Sequence, residues 1–349
     1  MDDISLVIGG HRISGWNGIR LTRGIERMPS DFDITMTDRY PGKAAAVVLR
    51  PGDVCEVMLG SDRVVTGYVD RFSPSLSSRN HTISVCGRGK CADLVDCSAE
   101  WPNGQISGAS ALEIAKKLGK PFGINVTAEG DIDWVRIKQF NLNWGETPFD
   151  VIERISRYSA VLAYDGTDGD LIMSRVGIRR HASGFLQGGN VQCAGATFSM
   201  DQRYSDYVVR TMSVSSFGET GQGGDIQAHL IDPGVPRHRL RYIISEANQP
   251  GLDIATQRGE WEKARRWGRS FAVRVTCDSW RDAAGQLWTP NWLAPISIPA
   301  VKLPDALWVI SEVTFTRDLQ GTRADLTLMP PEAFTPEPML QNPLQNDVR

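Results

Sequence analysis

Between residues 54 and 69 the chain reads Val54-Cys55-Glu56-Val57-Met58-Leu59-Gly60-Ser61-Asp62-Arg63-Val64-Val65-Thr66-Gly67-Tyr68-Val69. Two runs with apolar residues at alternate positions flank a Gly-Ser break, the pattern of two half-buried strands joined by a turn. The pattern extends outward in both directions, through Asp33-Ile34-Thr35-Met36-Thr37 and Thr82-Ile83-Ser84-Val85. Pro51-Gly52 adds a further turn, and helix signals are almost missing from the first hundred residues. Residues 1–97 therefore read as a small antiparallel barrel or sandwich, and a first β-barrel is expected there.

From about Ser98 the character changes, and residues 98–195 read as an α+β module. Ser110 followed by Glu113 makes a capping box, with Leu112, Ala115 and Leu118 on one helical face and Gly119 and Pro121 closing the run. A second helix begins at Thr147, with Pro148 at its first position and Asp150 complementing the dipole. Val151, Ile152, Ile155 and Tyr158 supply its buried stripe. The segments Ala160 to Tyr164 and Leu171 to Val176 then flank an Asp- and Gly-rich turn and predict a hairpin.

Strand character returns in Tyr207-Val208-Val209-Arg210-Thr211-Met212-Ser213-Val214 and again from Phe271 to Leu328. A second β-barrel is expected over residues 196–217 and 270–331. Residues 218–269 interrupt it with a Gly-rich loop (Gly218 to Gly224), a strand at Arg239 to Ser245 and a basic helix from Ile254 to Ser270. The Pro-, Asn- and Gln-rich end, 332–349, holds little to pack and reads as a flexible tail.

The two β regions resemble each other. Ser30-Asp31-Phe32 leading into Ile34 and Met36 resembles Ser205-Asp206-Tyr207 leading into Val209 and Thr211. Phe72, Leu76, Ile83 and Val85 match Phe315, Leu319, Leu326 and Leu328 at one offset (315 − 72 = 243), and Pro51-Gly52-Asp53-Val54 matches Pro290-Asn291-Trp292-Leu293. The competing explanation is the alternation that any two β-meanders share. Duplication implies two related barrels per chain, so three chains closing with cyclic symmetry would line one ring with six.

Composition narrows the function classes. With 349 residues, 41% hydrophobic and 23% charged, the chain has the make-up of a globular protein of two or three domains. A net charge of −3 leaves no global positive field for gripping nucleic acid or an anionic membrane. The acidic start, Met1-Asp2-Asp3, and the lack of a long apolar run lead us to expect cytoplasmic synthesis. Six scattered cysteines form neither a disulfide framework nor a zinc knuckle.

No catalytic constellation emerges. His11, His81, His181, His229 and His238 fall in no HExxH or paired spacing, and Gly104-Gln105-Ile106-Ser107-Gly108 has its serine one place late for a nucleophile elbow. Gly87-Arg88-Gly89-Lys90 lacks the upstream glycine of a phosphate loop and reads as a sharp turn out of a strand. Asp165, Asp168 and Asp170 lack the order of a calcium loop and read as a polar turn. No catalytic residue, metal or cofactor is assigned. Ten tryptophans and several arginine clusters point instead to contacts between subunits, with Trp261, Arg265, Trp267, Trp288 and Trp292 as candidate interface residues.

The order of features resembles the baseplate hub family of contractile-tailed phages, comprising the Mu-like hub protein and the late control protein D relatives. The resemblance lies in Gly87-Arg88-Gly89 with Leu94-Val95-Asp96-Cys97-Ser98, and in Trp144-Gly145-Glu146-Thr147-Pro148-Phe149-Asp150-Val151-Ile152. The hairpin from Tyr164 to Ile172 and the segments Trp280-Arg281-Asp282 and Gly285-Gln286-Leu287-Trp288-Thr289-Pro290-Asn291 continue it, from about Asp3 to Pro331. The resemblance implies a mixed, mainly β (α+β) chain that assembles as a ring-shaped homotrimer in the virion. Its implied partners are the spike protein, the tail tube or tube-initiator protein and the baseplate wedge proteins, with phage DNA crossing the channel without sequence-specific binding. Two rivals stand beside it: a peptidoglycan-binding or wall-degrading tail protein, because Gly145 to Ile152 also resembles the opening of a LysM repeat, and a type VI secretion-like spike hub.

Overall fold

The computed structural model describes residues 4–37, 49–78, 81–101, 104–211, 226–245, 252–318 and 321–336. The expected loop from Gly218 to Gly224 and most of the expected tail lie outside them. The alternating N-terminal runs form β1 (Ile4–Ile8), β2 (His11–Ile13), β3 (Gly18–Gly24), β4 (Asp31–Thr37), β5 (Val54–Leu59), β6 (Asp62–Leu76) and β7 (His81–Gly89). Cys55, Val57 and Leu59 of β5 are buried while Val54, Glu56 and Met58 are not, as period-two alternation requires.

The module that follows comprises α1 (Ala92–Asp96), β8 (Gln105–Ser110), α2 (Ala111–Gly119), β9 (Val126–Glu129), β10 (Arg136–Asn141), α3 (Pro148–Ser156), β11 (Leu162–Asp165) and β12 (Leu171–Ser174). Both expected capping boxes are present, Ser110 with Glu113 and Thr147 with Asp150. Ile114, Leu118, Val151 and Ile155 bring the two helices onto one core, Ile114 taking the buried place expected of Leu112.

Next come β13 (Arg179–Arg180), β14 (Phe185–Leu186) and β15 (Val191–Phe198), then β16 (Asp206–Thr211), β17 (Ile226–Ile231), β18 (Leu240–Ser245) and α4 (Leu252–Arg269). The chain continues through β19 (Phe271–Cys277), β20 (Trp292–Ser297), β21 (Ala306–Asp318) and β22 (Gly321–Met329).

The two expected barrels are replaced by one continuous 14-stranded sheet, ordered β15-β19-β22-β21-β3-β4-β7-β6-β5-β1-β2, with β20 beside β21 and β13 and β14 beside β20. Among the described residues its ends do not meet and no closed barrel is formed. One hydrophobic core runs through both regions, from Leu6, Val57 and Val85 to Val275, Val313 and Leu326. The physical reason is the pairing of β21 with β3, which sets Phe315 opposite Leu21 and cannot be read from local alternation.

The duplication itself is present. Neighbour order is β3-β4-β7-β6-β5 in one half and β15-β19-β22-β21-β20 in the other. Asp33 faces Cys86 and Phe72 faces Val85, while Arg274 faces Thr327 and Val313 faces Leu326, which sets one offset (274 − 33 = 313 − 72 = 327 − 86 = 241). Both long strands bulge at the same place, just after Val69 and just after Ile310. Val54 faces Tyr68 as Leu293 faces Val309, which upholds the proline-turn match, and Arg20 faces Asp33 as Gly195 faces Arg274.

Two details of the repeat read from sequence are corrected. An offset of 243 in place of 241 is a slip of two residues, which leaves every side chain on its proper face and is therefore invisible to alternation. The match of Ser30-Asp31-Phe32 to Ser205-Asp206-Tyr207 does not hold, since β4 corresponds to β19. Strand β16 is the centre of a separate sheet, β17-β16-β18, whose Tyr207 and Val209 are buried with Ala255 of α4. The second half thus begins with β15, and β16 belongs to the inserted unit with α4.

The glycines of Gly87-Arg88-Gly89 lie inside β7 and make no turn. A Cβ on Gly87 would come within 2.4 Å of the Phe32 ring, and one on Gly89 within 2.6 Å of the Asp165 carboxylate. Close approach of neighbouring chain, not turning, requires them.

Two buried polar contacts tie loops and module to the sheet. Asp165 at the end of β11 accepts from the Ser30 N–H at 2.7 Å and its hydroxyl at 2.9 Å. Burial pushes the Asp165 carboxyl up, opposed by those hydrogen bonds and the buried Arg23 guanidinium. His181, between β13 and β14, is buried with its Nδ1 3.0 Å from Asp282, and its Nε2 accepts the Thr289 N–H at 3.2 Å. That acceptance requires the neutral imidazole with the proton on Nδ1, donated to Asp282. Burial holds the His181 imidazole below its ordinary range, against the upward pull of Asp282.

Replacing Asp165 with alanine leaves the Ser30 donors and Arg23 without their carboxylate, an expected loss of about 3 kcal/mol measured by urea denaturation. A variant as stable as the parent would contradict the lock. For His181 the folded state resists a proton that the unfolded chain accepts near pH 6.5, so stability should fall as pH drops from about 7 to 5. The difference in melting temperature between the parent and His181→Phe should shrink over that interval, and a constant difference would contradict a buried neutral imidazole.

Candidate assembly interface

Trp261 and Arg265 lie one turn apart on α4. The Trp261 indole donates to the Thr335 carbonyl at 2.8 Å and the Arg265 guanidinium to the same oxygen at 3.1 Å. Both border a cleft of about 350 Å³ that Ile25, Met28, Phe149 and Phe334 also line, where α4, the β3–β4 connection and α3 meet. Burial and the neighbouring Arg269 pull the Arg265 pKa down, while Glu26, 3.5 Å away, pulls it up. Trp267, farther along the helix, packs edge-on against Phe271 with 5.2 Å between ring centres.

Trp288 and Trp292 flank His181, at 4.9 and 4.8 Å between ring centres. Trp288 is fully buried, and its indole donates to the Ser279 carbonyl at 2.9 Å, so the ring sits in the core with its one polar atom satisfied. It therefore offers no surface to a partner. Trp292 is half-buried on β20 beneath Arg179, 5.6 Å from the ring centre. The structure brings Trp261 together with Arg265 and sets Trp288 and Trp292 both against His181, and does not gather the five candidates into one patch.

A different surface stands out, one that the sequence reading missed. Residues 312–317 of β21 pair with residues 19–24 of β3, where the Thr22 and Thr314 hydroxyls meet at 3.1 Å and Val313, Phe315 and Leu21 are buried. At the offset of 241 the counterpart of this stretch is 71–76 of β6, whose inner side pairs with β7 and whose outer side has no strand partner among the described residues. Leu76 there is 80% exposed. The counterpart of β3 is β15, which ends the sheet with Phe198 49% exposed. Pro74 in β6 was the available signal, because proline in a sheet is confined to edges and bulges.

The acidic turn and the buried histidine are held by specific structural contacts. Asp165, Asp168 and Asp170 aim apart: Asp165 holds Ser30, Asp168 accepts the Asp170 N–H at 3.1 Å, and Asp170 holds Asn125. The His181 ring nitrogens meet Asp282 and the Thr289 N–H, and Trp288 and Trp292 pack against the imidazole, which is the arrangement of a clamp. Among the described residues no group of three or more His, Cys, Asp or Glu is placed to hold a metal, and no helix is long and apolar enough to cross a membrane.

Comparison with known proteins gives the surface its context. Residues 3–89 match the N-terminal domain of the Mu phage baseplate assembly protein GpP-like family, and residues 91–175 match the second domain of baseplate hub protein gp44-like proteins. Residues 252–337 match the fourth domain of the GpP family. The chain is 28% identical to the baseplate hub protein gp44 of Escherichia phage Mu over 342 residues, 95% of this chain and 88% of that one. It is 33% identical to the 43 kDa tail protein of prophage MuSo2 from Shewanella oneidensis, covering 95% of this chain and 99% of that one with a TM-score of 0.84. The fold recurs at 19% identity in the tail protein from Neisseria meningitidis MC58, with a TM-score of 0.81 over 98% and 99% of the two chains.

Proposed function

The chain belongs to the Mu-like phage baseplate hub family, and on that premise we propose that three copies close into a ring at the centre of a contractile tail baseplate. The ring seats the hexameric tail tube, directly or through a tube-initiator protein, and carries the trimeric membrane-piercing spike on its other face. Wedge proteins surround it, and phage DNA crosses its channel without being read or gripped, in keeping with a net charge of −3. The protein acts through assembly, not catalysis, and its place is the virion after assembly in the host cytoplasm.

One observation carries the reading. Each chain holds the same five-stranded arrangement twice, in the same order and the same register. Three chains therefore present six similar half-sheets, enough to meet a sixfold partner, while the α+β module and the α4 unit occur once per chain and remain threefold. Symmetry mismatch between tube and spike is absorbed inside each subunit.

A second reading, binding to peptidoglycan, has one observation in its favour. Trp144, fully exposed at 102%, immediately precedes the LysM-like stretch Gly145 to Ile152 and stands just before α3, free to stack on a sugar or a partner protein. Co-sedimentation with purified peptidoglycan that disappears in Trp144→Ala would support it.

Light scattering should return about three times the 38.5 kDa chain mass, and negative-stain images should show a threefold ring with a central hole. A monomer at all concentrations, or a solid particle, would contradict the hub assembly.

A further inference from the structure

We propose that the outer edge of β6 takes β15 of a second copy of this chain as an antiparallel partner, with Ser73 set opposite Thr197. The inference rests on the ring reading and deepens it by naming the strands and register that join one copy to the next.

The chain already makes one such contact with itself. Glu312 to Arg317 of β21 face Gly24 to Ile19 of β3, and at the centre of that join Thr314 meets Thr22. The offset of 241 carries Thr314 to Ser73 (314 − 241 = 73), and the register of the outer strands carries Thr22 to Thr197 (195 − 20 = 175, 22 + 175 = 197). The same mapping sets Phe72 opposite Phe198 and Leu76 opposite Ala194. The two edges left without a strand partner among the described residues are thus the two halves of a joint that the same chain has made once already.

Burial marks these edges as unfinished. In the completed join Val313 and Phe315 are buried, whereas their counterparts are half-buried Phe72 and exposed Pro74. Strand β3 is buried along most of its length, whereas Gln192, Cys193, Gly195, Thr197 and Phe198 of β15 are exposed. Unpaired strand edges template further pairing, and Pro74 removes one donor from β6, which limits pairing with strands of the wrong register. Because one chain offers a β6 edge and the next a β15 edge, the contact is head-to-tail and generates rings when its rotation closes.

The test is disulfide trapping of the full chain in a Cys193→Ser background, which removes the exposed native thiol. Ser73→Cys with Thr197→Cys, oxidised and run on a non-reducing denaturing gel, should give covalent dimer and trimer, while each single variant stays monomeric. Thr22→Cys with Thr314→Cys should close within one chain and verifies the oxidation chemistry. Both new positions are exposed, so failure to fold is not the expected cause of a negative result. A protein that is trimeric by mass but does not cross-link here, or that cross-links more readily through Ser75→Cys with Thr197→Cys, would overturn the register and leave the hub reading standing. Covalent products continuing beyond trimer would support the strand pairing and overturn the closed ring of three.

Discussion

The pairing of β21 with β3 is the contact on which the molecule depends. It joins strands almost three hundred residues apart, buries Leu21 against Val313 and Phe315, and turns two half-sheets into one surface with one core. Without it the chain would hold two separate sheets, each with its own exposed edges. With it, the edges left over are complementary by construction, because each is the counterpart of a strand already used in the join.

What lies between the strands shows how the repeat has been differentiated. The short connection between β3 and β4 corresponds to the long insertion between β15 and β19, which carries β16, β17, β18 and α4. The α+β module follows β7 and is fixed back onto the sheet through Asp165 and Ser30. These additions break the equivalence of the halves away from the shared sheet and leave the strand order itself intact. A sheet that repeats and appendages that do not are what a subunit needs if one face must look sixfold and the other threefold.

Much of this was legible in the sequence, and the rest was hidden for definable reasons. Period-two alternation located β4 through β7, and the residue types at Ser110, Glu113, Thr147 and Pro148 located both capped helices. The existence of a repeat was legible because the proline turns at Pro51 and Pro290 feed equivalent strands. Its register was not, since a two-residue slip conserves every buried position. Strand β15 is not legible in the sequence because Ala194, Gly195 and Ala196 carry almost no strand signal, and that strand is one half of the open edge. The tryptophans drew attention by size, yet Trp288 is large for a different reason, filling the core beside His181. Edge strands are weakly marked in sequence because only one side of them is packed by strands of their own sheet.

Hydrogen exchange on the unmodified assembled protein tests the central claim most directly, with the in-chain join as its internal standard. If copies meet edge to edge, amides in residues 72–76 and 194–198 should exchange as slowly as those in 19–24 and 312–317, and should speed up on dilution to monomer. Fast exchange at both edges in a preparation that is fully assembled would contradict the account.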